Sequence, residues 1–217
     1  MGVDWRLYHV TDPQLSGGRD RVAHVVEQAV LGGAGVIQFR DKTATNREFR
    51  DGVRACQQAI AAAVERGARP AELFVNDRVA IAAEFGTHLH IGQDDGEVAA
   101  ARAAIGADQL LGVSVSSREQ LDAVISGGLA DVVGIGPVWE TATKTDAAPA
   151  LGVDGVRDLL GSLPENLRAV AIGGINPANA ASVIVTGVDG ICVVSAIAAA
   201  PDPRLAAQEL IALWRNP

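Results

Sequence analysis

Short apolar runs rich in valine, isoleucine and leucine recur about every 25 residues along the chain. The segments between them carry apolar residues at helical spacing, as at Val22, Val25, Val26 and Val30. The pattern therefore predicts that each strand is followed by a helix. The predicted strands cover residues 7–11, 36–40, 73–76, 89–92, 110–115, 131–137, 169–173 and 190–195.

Near-continuous apolar strands that alternate with amphipathic helices indicate an α/β protein with a parallel sheet covered by helices. Eight such units favour a (β/α)₈ TIM barrel. The other arrangement of these elements, an open doubly wound sheet, usually begins with a glycine-rich turn after its first strand. Here the first strand runs into Thr11, Asp12 and Pro13 instead. We predict a barrel in a single domain that spans residues 1–217.

Composition and charge narrow the range of partners that the protein is expected to bind. The chain is 48% hydrophobic, which suits a large core, and its formal net charge of −8 disfavours nucleic acid or an anionic membrane as a partner. The longest apolar stretch, residues 191–200, is half of the ~20 residues that cross a bilayer. No export signal stands at the N-terminus, and Cys56 and Cys192 have no metal-binding or disulfide spacing. We expect a cytoplasmic protein, with a homo-oligomer as one option, whose anionic ligands need local cations or a metal.

Polar side chains follow the second predicted strand, at the end of a barrel strand where catalysis is expected. Alternation along this strand places Gln38, Arg40 and Lys42 on one side. An amide, a guanidinium and an ammonium in one direction suit an anion beside a hydrogen-bonding ring. Ordinary loop charges are the alternative interpretation of Arg40 and Lys42.

Two carboxylates, Asp77 and Asp95, follow neighbouring predicted strands. Two carboxylates with a substrate phosphate are a usual set of Mg²⁺ ligands, so both are candidate metal ligands. Helix N-capping is the alternative, and Asp94 could supply that cap. Asn76 and Ser114 also lie at strand ends.

Two further segments suit phosphate groups. Residues 141–144 (Thr-Ala-Thr-Lys) lie in a long connection after the sixth strand, where a mobile lid is expected. Gly173 and Gly174 after strand seven, and Val194 and Ser195 after strand eight, lie where barrels bind phosphate through backbone N–H groups. His9 and His90 fall inside strands, which is more typical of hydrogen-bonded core histidines than of catalysts. No activated protein nucleophile is indicated.

With these residues in view, the chain resembles the thiamine phosphate synthase family from Leu7 to its last helix. Several motifs in the same order carry the resemblance: LYHVTD at 7–12, QFRDK at 38–42, NDR at 76–78, HIGQDD at 90–95, GVS at 112–114, GPVW at 136–139, TATK at 141–144, IGGI at 172–175 and VSAI at 194–197.

The resemblance implies that an aminopyrimidine loses its diphosphate and that the ring nitrogen of hydroxyethylthiazole phosphate takes its place, assisted by Mg²⁺. It also implies a reaction in which the bond to diphosphate breaks largely before the new bond forms. The implied residue roles are Gln38 for the pyrimidine; Arg40, Lys42, Asn76, Ser114 and Lys144 for the diphosphate and catalysis; Asp77 and Asp95 for Mg²⁺; Thr141, Thr143, Gly174, Val194 and Ser195 for the thiazole phosphate; and Phe39 and Asp41 as further substrate contacts.

The sequence departs from the family pattern at a few positions. Glu140 replaces a frequent proline, Ser116 a frequent histidine, and Thr87 with His88 a usual Asp-Gly pair. The stretch from Asp77 to Asp95 is one residue shorter than is usual. Thiazole tautomerase relatives, a phosphosugar isomerase and a non-catalytic phosphate-binding paralogue are the other functions that such a barrel allows.

Overall fold

The chain forms a closed barrel of eight parallel strands, β1 to β8, arranged in sequence order. The computed structural model describes residues 2–141 and 148–215. The predicted single barrel is confirmed, and every predicted strand overlaps an observed one. The sixth strand ends earlier than predicted, because Pro137 has no N–H to continue the ladder. The strands are Leu7–Val10, Val36–Phe39, Glu72–Asn76, His88–Ile91, Leu111–Val115, Val132–Ile135, Arg168–Ile172 and Gly190–Val193.

A helix follows each strand, and local capping groups set where several of the helices begin. The Thr45 side chain accepts a hydrogen bond from the Glu48 N–H, and Glu48 bonds back to Thr45, which starts α2. Ser117 and Asp202 cap α5 and α9 in a similar way. The helices α1 to α9 are Arg19–Leu31, Asn46–Glu65, Val79–Phe85, Val98–Ile105, Arg118–Gly127, Gly152–Leu160, Ala180–Ile184, Ser195–Ala198 and Pro203–Ala212, and a 3₁₀ turn covers Leu213–Arg215.

The larger apolar core lies between the strands and the surrounding helices. Phe39 of β2 packs against Phe49 of α2, with ring centroids 4.6 Å apart. Gly52 of α2 makes this contact possible, because a Cβ there would lie 2.2 Å from the Phe39 ring. Fully burying a side chain of this size contributes roughly 1.5–3 kcal/mol. The outer face of the sheet thus carries the larger share of the buried apolar side chains.

A smaller core fills the inside of the barrel, at the end where the strands begin. The rings of Tyr8 and Phe74 lie 5.6 Å apart, and Trp5, just before β1, lies 6.0 Å from Phe74. Trp5 also lies against Gly190, where a Cβ would be 1.8 Å from the Trp5 carbonyl oxygen. This aromatic layer closes the end of the barrel at which the strands begin. The remaining space therefore opens at the carboxyl ends of the strands. Within residues 2–141 and 148–215, no helix has the length and apolar character to span a bilayer.

Candidate functional site

A cavity of about 370 Å³ occupies the open end of the barrel. Its position agrees with the general rule that the carboxyl ends of barrel strands carry the active site. Most of the residues predicted from the sequence meet here. They are Gln38, Arg40, Lys42, Asn76, Asp77, Asp95, Ser114, Thr141, Gly174, Val194 and Ser195.

Two predicted substrate contacts, Phe39 and Asp41, lie elsewhere. Strand alternation turns both side chains away from the side on which Gln38 and Arg40 lie. Asp41 accepts hydrogen bonds from the backbone N–H groups of Thr43 and Ala44 at 3.0 Å, and from Arg19 Nε at 2.5 Å. Phe39 packs against α2, and Asp41 holds the loop between β2 and α2. Neither residue belongs to the cavity lining found in the described residues, so a substrate contact of either one stays a prediction.

The pKa of Asp41 follows from the same contacts. Burial of the carboxyl group raises its pKa, but the hydrogen bonds from Arg19 and Thr43 outweigh burial, and the net pKa is lowered. Asp41 is therefore a charged structural residue at neutral pH. Two other predicted residues, Thr143 and Lys144, lie outside the described residues.

The candidate metal ligands Asp77 and Asp95 lie together at the cavity edge. Asp77 has a φ of 60°, a left-handed conformation that is uncommon for residues other than glycine. The Lys42 ammonium donates a hydrogen bond to Asp77 Oδ2, and Asp95 Oδ2 accepts one from the Gly92 N–H at 2.8 Å. Among the described residues no set of three potential metal-binding side chains occurs. A pair of carboxylates suits Mg²⁺, which usually takes one or two from the protein and the rest from phosphate and water.

Electrostatics at Asp77 also fit a cation. Burial raises the pKa of Asp77, and the neighbouring Asp95, close enough for a hydrogen bond between the two carboxyl groups, raises it further. Lys42 opposes both effects, yet the pKa remains raised. A divalent cation between the two carboxylates would remove this repulsion and favour their charged forms.

Arg40 presents the second cation of the cavity, and its backbone is fixed. The Arg40 N–H donates to Thr11 Oγ1 at 2.9 Å, and the Thr11 hydroxyl donates to the Arg40 carbonyl oxygen at 3.1 Å. The guanidinium lies 3.9 Å from Asp12. Arg40 and Lys42 therefore enter the cavity from the same side of β2 and its loop, as the alternation along the strand predicts.

Tyr8 reaches the cavity from β1 and contacts Gln38, a predicted substrate-binding residue. Gln38 Nε2 donates a hydrogen bond to the Tyr8 hydroxyl oxygen at 2.8 Å. Burial raises the pKa of Tyr8, so the phenol stays protonated at neutral pH. Tyr8 therefore orients the Gln38 amide, a role that sequence reasoning missed. No signal in the sequence pointed to it, because Tyr8 lies within an apolar run that does not show which face points inward.

His90 on β4 also lines the cavity, together with Ser114 on β5. The His90 Nε2 and Ser114 Oγ atoms are 3.0 Å apart. Burial lowers the pKa of His90 to about 4, so the ring is neutral near pH 7. The sequence predicted a hydrogen-bonded core histidine. It did not show that the partner is Ser114, itself a predicted substrate-binding residue.

The loop after β7 is held by backbone geometry that glycine permits. Gly173 and Gly174 have φ values of 106° and 68°. A Cβ on Gly174 would lie 2.8 Å from the Trp139 Cβ, and the Trp139 N–H donates to the Gly173 carbonyl oxygen at 3.1 Å. Asn179 Nδ2 donates to the Gly174 carbonyl oxygen at 2.9 Å. Gly174 thus approaches the loop after β6 closely, beside Val194 and Ser195.

The departures from the family pattern have separate structural roles. Ser116 donates through its N–H and hydroxyl to Gln120 Oε1, at 2.7 and 3.0 Å, and both residues line the cavity. His88 lies at the opposite end of the barrel, where Nε2 is 3.1 Å from Glu72 and Nδ1 accepts from the Leu110 N–H. Glu140 is exposed.

The comparisons with known proteins agree on one family. The model of the thiamine monophosphate synthase family matches residues 7–197. The chain is 47% identical to a thiamine-phosphate synthase from Chloroflexus aurantiacus, covering 97% of this chain and 93% of that protein. A thiamine-phosphate synthase from Laribacter hongkongensis is 43% identical, with coverage of 97% and 96%.

Other relatives are longer. A thiamine biosynthesis multifunctional protein from Corynebacterium efficiens is 45% identical, but the match covers 98% of this chain and 29% of that protein. The chain therefore spans less than a third of that relative. A solved structure, the thiamine phosphate pyrophosphorylase from Pyrococcus furiosus, superimposes with a TM-score of 0.85 at 34% identity, covering 98% of this chain and 96% of that one.

Proposed function

Because the chain belongs to the thiamine monophosphate synthase family, we propose that it is a thiamine-phosphate synthase. In the reaction an aminopyrimidine loses its diphosphate, and the ring nitrogen of hydroxyethylthiazole phosphate bonds to the carbon that carried the diphosphate. One observation carries the proposal: two cations and two adjacent carboxylates, Arg40, Lys42, Asp77 and Asp95, surround one cavity with neutral hydrogen-bonding groups beside them.

The cations act on the departing diphosphate. Arg40 and Lys42 reach the cavity from β2 and its loop, and Asn76 and Ser114 add neutral polar groups from β3 and β5. Groups fixed before the reaction stabilise negative charge as it develops on the leaving group. Lys144 adds a further cation in this proposal, on the connection after β6.

Asp77 and Asp95 hold Mg²⁺ in this proposal. The metal supplies charge neutralisation and orientation for the diphosphate oxygens. The Lys42 ammonium donates a hydrogen bond to Asp77, so it would lie beside both the metal ligands and the diphosphate in this proposal.

The pyrimidine and the thiazole phosphate occupy different parts of the cavity. Gln38, oriented by Tyr8, contacts the pyrimidine near the apolar floor. Gly174, Val194 and Ser195, with Thr141 and Thr143, bind the thiazole phosphate. Holding both substrates in line supplies much of the acceleration, and no protein nucleophile is required.

Magnesium-dependent release of diphosphate, measured with both substrates and with each alone, tests the proposal. We expect release with thiamine phosphate formation only when both substrates and magnesium are present. A thiazole tautomerase relative would convert a thiazole substrate with no diphosphate release, and a binding protein would retain the thiazole phosphate unchanged. Arg40→Ala should reduce the rate strongly. Arg54→Ala removes an exposed cation of α2 and is the matched control.

A further inference from the structure

One ring nitrogen of His90 has a hydrogen-bonding partner, and the other is buried. Nε2 lies 3.0 Å from Ser114 Oγ. Nδ1 is buried and has no hydrogen-bond partner in the part of the chain that the structure describes. It lies against the α-carbon of Gly112, where a Cβ would be 2.3 Å from Nδ1. Only the Nε2 side of this imidazole therefore forms a hydrogen bond within the described residues.

This asymmetry determines which nitrogen carries the proton. A neutral imidazole has one N–H donor and one acceptor nitrogen. A proton on Nδ1 would be a buried donor without an acceptor, which is costly and rare in folded proteins. A proton on Nε2 finds the Ser114 oxygen as acceptor. The geometry therefore favours the tautomer protonated on Nε2.

The direction of that hydrogen bond determines what Ser114 can do. A hydroxyl that accepts from His90 keeps its own hydrogen for another partner. Ser114 lines the cavity, and Gln93 Nε2 fixes the Ser114 backbone by donating to its carbonyl oxygen at 2.7 Å. The hydrogen of Ser114 is therefore available to an anionic oxygen in the cavity.

We propose that His90 is a positioning residue that makes Ser114 a hydrogen-bond donor to the diphosphate, and that it takes no proton during the reaction. The proposal rests on the synthase function proposed for the cavity. It assigns the histidine a role that differs from general base catalysis, because the nitrogen facing Ser114 already holds a proton.

The tautomer can be measured directly in the wild-type protein. Nitrogen-15 NMR of the protein labelled in its histidines distinguishes protonated from unprotonated ring nitrogens, and His90→Gln identifies the His90 signals by their loss. We expect Nε2 protonated and Nδ1 unprotonated. A proton on Nδ1 would overturn the proposal.

Substitutions test the consequence for binding, with inorganic diphosphate and magnesium as the probe in calorimetry. The amide nitrogen of a glutamine reaches the place of Nε2, whereas that of an asparagine reaches only the place of Nδ1. His90→Asn and Ser114→Ala should each weaken diphosphate binding by roughly 10- to 100-fold, the effect of losing a hydrogen bond to a charged group. His90→Gln should bind within about threefold of the wild type, and His90→Asn combined with Ser114→Ala should bind no worse than Ser114→Ala alone.

His9→Asn is the matched control. His9 is also buried in a strand and has one unpartnered ring nitrogen among the described residues, but its other nitrogen contacts the Val193 carbonyl oxygen at 3.3 Å. We expect His9→Asn to lower stability and leave diphosphate affinity unchanged. Equal losses in His90→Gln and His90→Asn, or additive losses in the double variant, contradict the positioning role.

Turnover separates this proposal from the proposed function. A synthase in which His90 positions Ser114 loses kcat in His90→Asn and regains it in His90→Gln, with KM for the thiazole phosphate unchanged. If the wild type forms thiamine phosphate but shows no coupling between His90 and Ser114, only the positioning role is wrong. If the wild type binds inorganic diphosphate with the expected coupling but forms no product, the synthase function is wrong.

Discussion

The two apolar cores on the two faces of the barrel sheet differ in what they adjoin. The outer core is enclosed between strands and helices, whereas the inner core, around Tyr8 and Phe74, continues into the polar cavity. Two histidines show the same contrast. Burial lowers the pKa of both His9 and His90 to about 4, but of the two only His90 lines the cavity. The side of the strand on which a residue lies therefore separates stability from function.

The largest expected effect comes from removing one aromatic ring from each core. Phe49 of the outer core and Phe74 of the inner core are both fully buried. Each change to alanine should lower the free energy of unfolding by about 3–5 kcal/mol. Only Phe74→Ala should also raise KM, because Phe74 supports Tyr8 and the cavity floor. Urea denaturation and steady-state kinetics of the two variants measure both effects. A raised KM in Phe49→Ala would abolish the distinction between the cores.

Asp77→Asn should separate activity from stability at the cavity edge. Loss of the metal ligand should lower the magnesium-dependent rate by about 10²–10³-fold, the usual effect of losing one preorganised electrostatic group. The pKa of Asp77 is raised on folding, so the charged carboxylate opposes folding at pH values above that pKa, and protonation at lower pH relieves the effect. The variant should therefore unfold at neutral pH with a free energy equal to or above that of the wild type. Wild-type turnover at limiting magnesium in a folded Asp77→Asn protein would exclude the metal role.

Asp41→Asn provides the opposite case, in the loop after β2 and outside the cavity lining found in the described residues. The lowered pKa of Asp41 means that its contribution to stability is present above the unfolded pKa and is lost as pH falls through the folded pKa. The substitution should lower the free energy of unfolding at pH 7 by about 1.5–3 kcal/mol, since Asn cannot replace the charged hydrogen bonds. The difference from the wild type should shrink in acid, and KM should stay unchanged. Denaturation curves from pH 7 to pH 3 test the sign.

The smallest predicted effect concerns Gly174. A valine there must adopt a φ of 68° and would contact Trp139, which displaces the backbone beside the thiazole phosphate site. We expect the affinity for thiazole phosphate to fall about tenfold, while that for the pyrimidine diphosphate changes much less. Gly127→Ala is the control, because no atom lies within 4 Å of the added Cβ. Equal losses for both ligands in calorimetry would indicate general misfolding.

The sequence predicted the barrel well because its parallel strands are buried on both faces and appear as distinct apolar runs. It predicted many cavity residues for a related reason: polar groups such as Arg40 and Asp77 stand where those runs end. Phe39 and Asp41 were assigned with the whole motif, although alternation turns them outward. Tyr8 and His90 were missed as cavity residues because they lie within apolar runs, and apolar runs do not show which face points inward. The metal and the substrate-binding and catalytic roles of all these residues, including Thr143 and Lys144, remain predictions.

The imidazole of His90 rests on two residues that have no side chain. A Cβ on Gly112 would lie 2.3 Å from Nδ1, and one on Gly134 would lie 3.2 Å from Cε1 of the ring. Positions 90, 112 and 134 therefore cannot be substituted independently as the sequence evolves. A lineage that gains a side chain at position 112 must first lose the ring at position 90, so the order of the two substitutions matters. A laboratory library that varies the glycines alone will return almost only glycine at position 112.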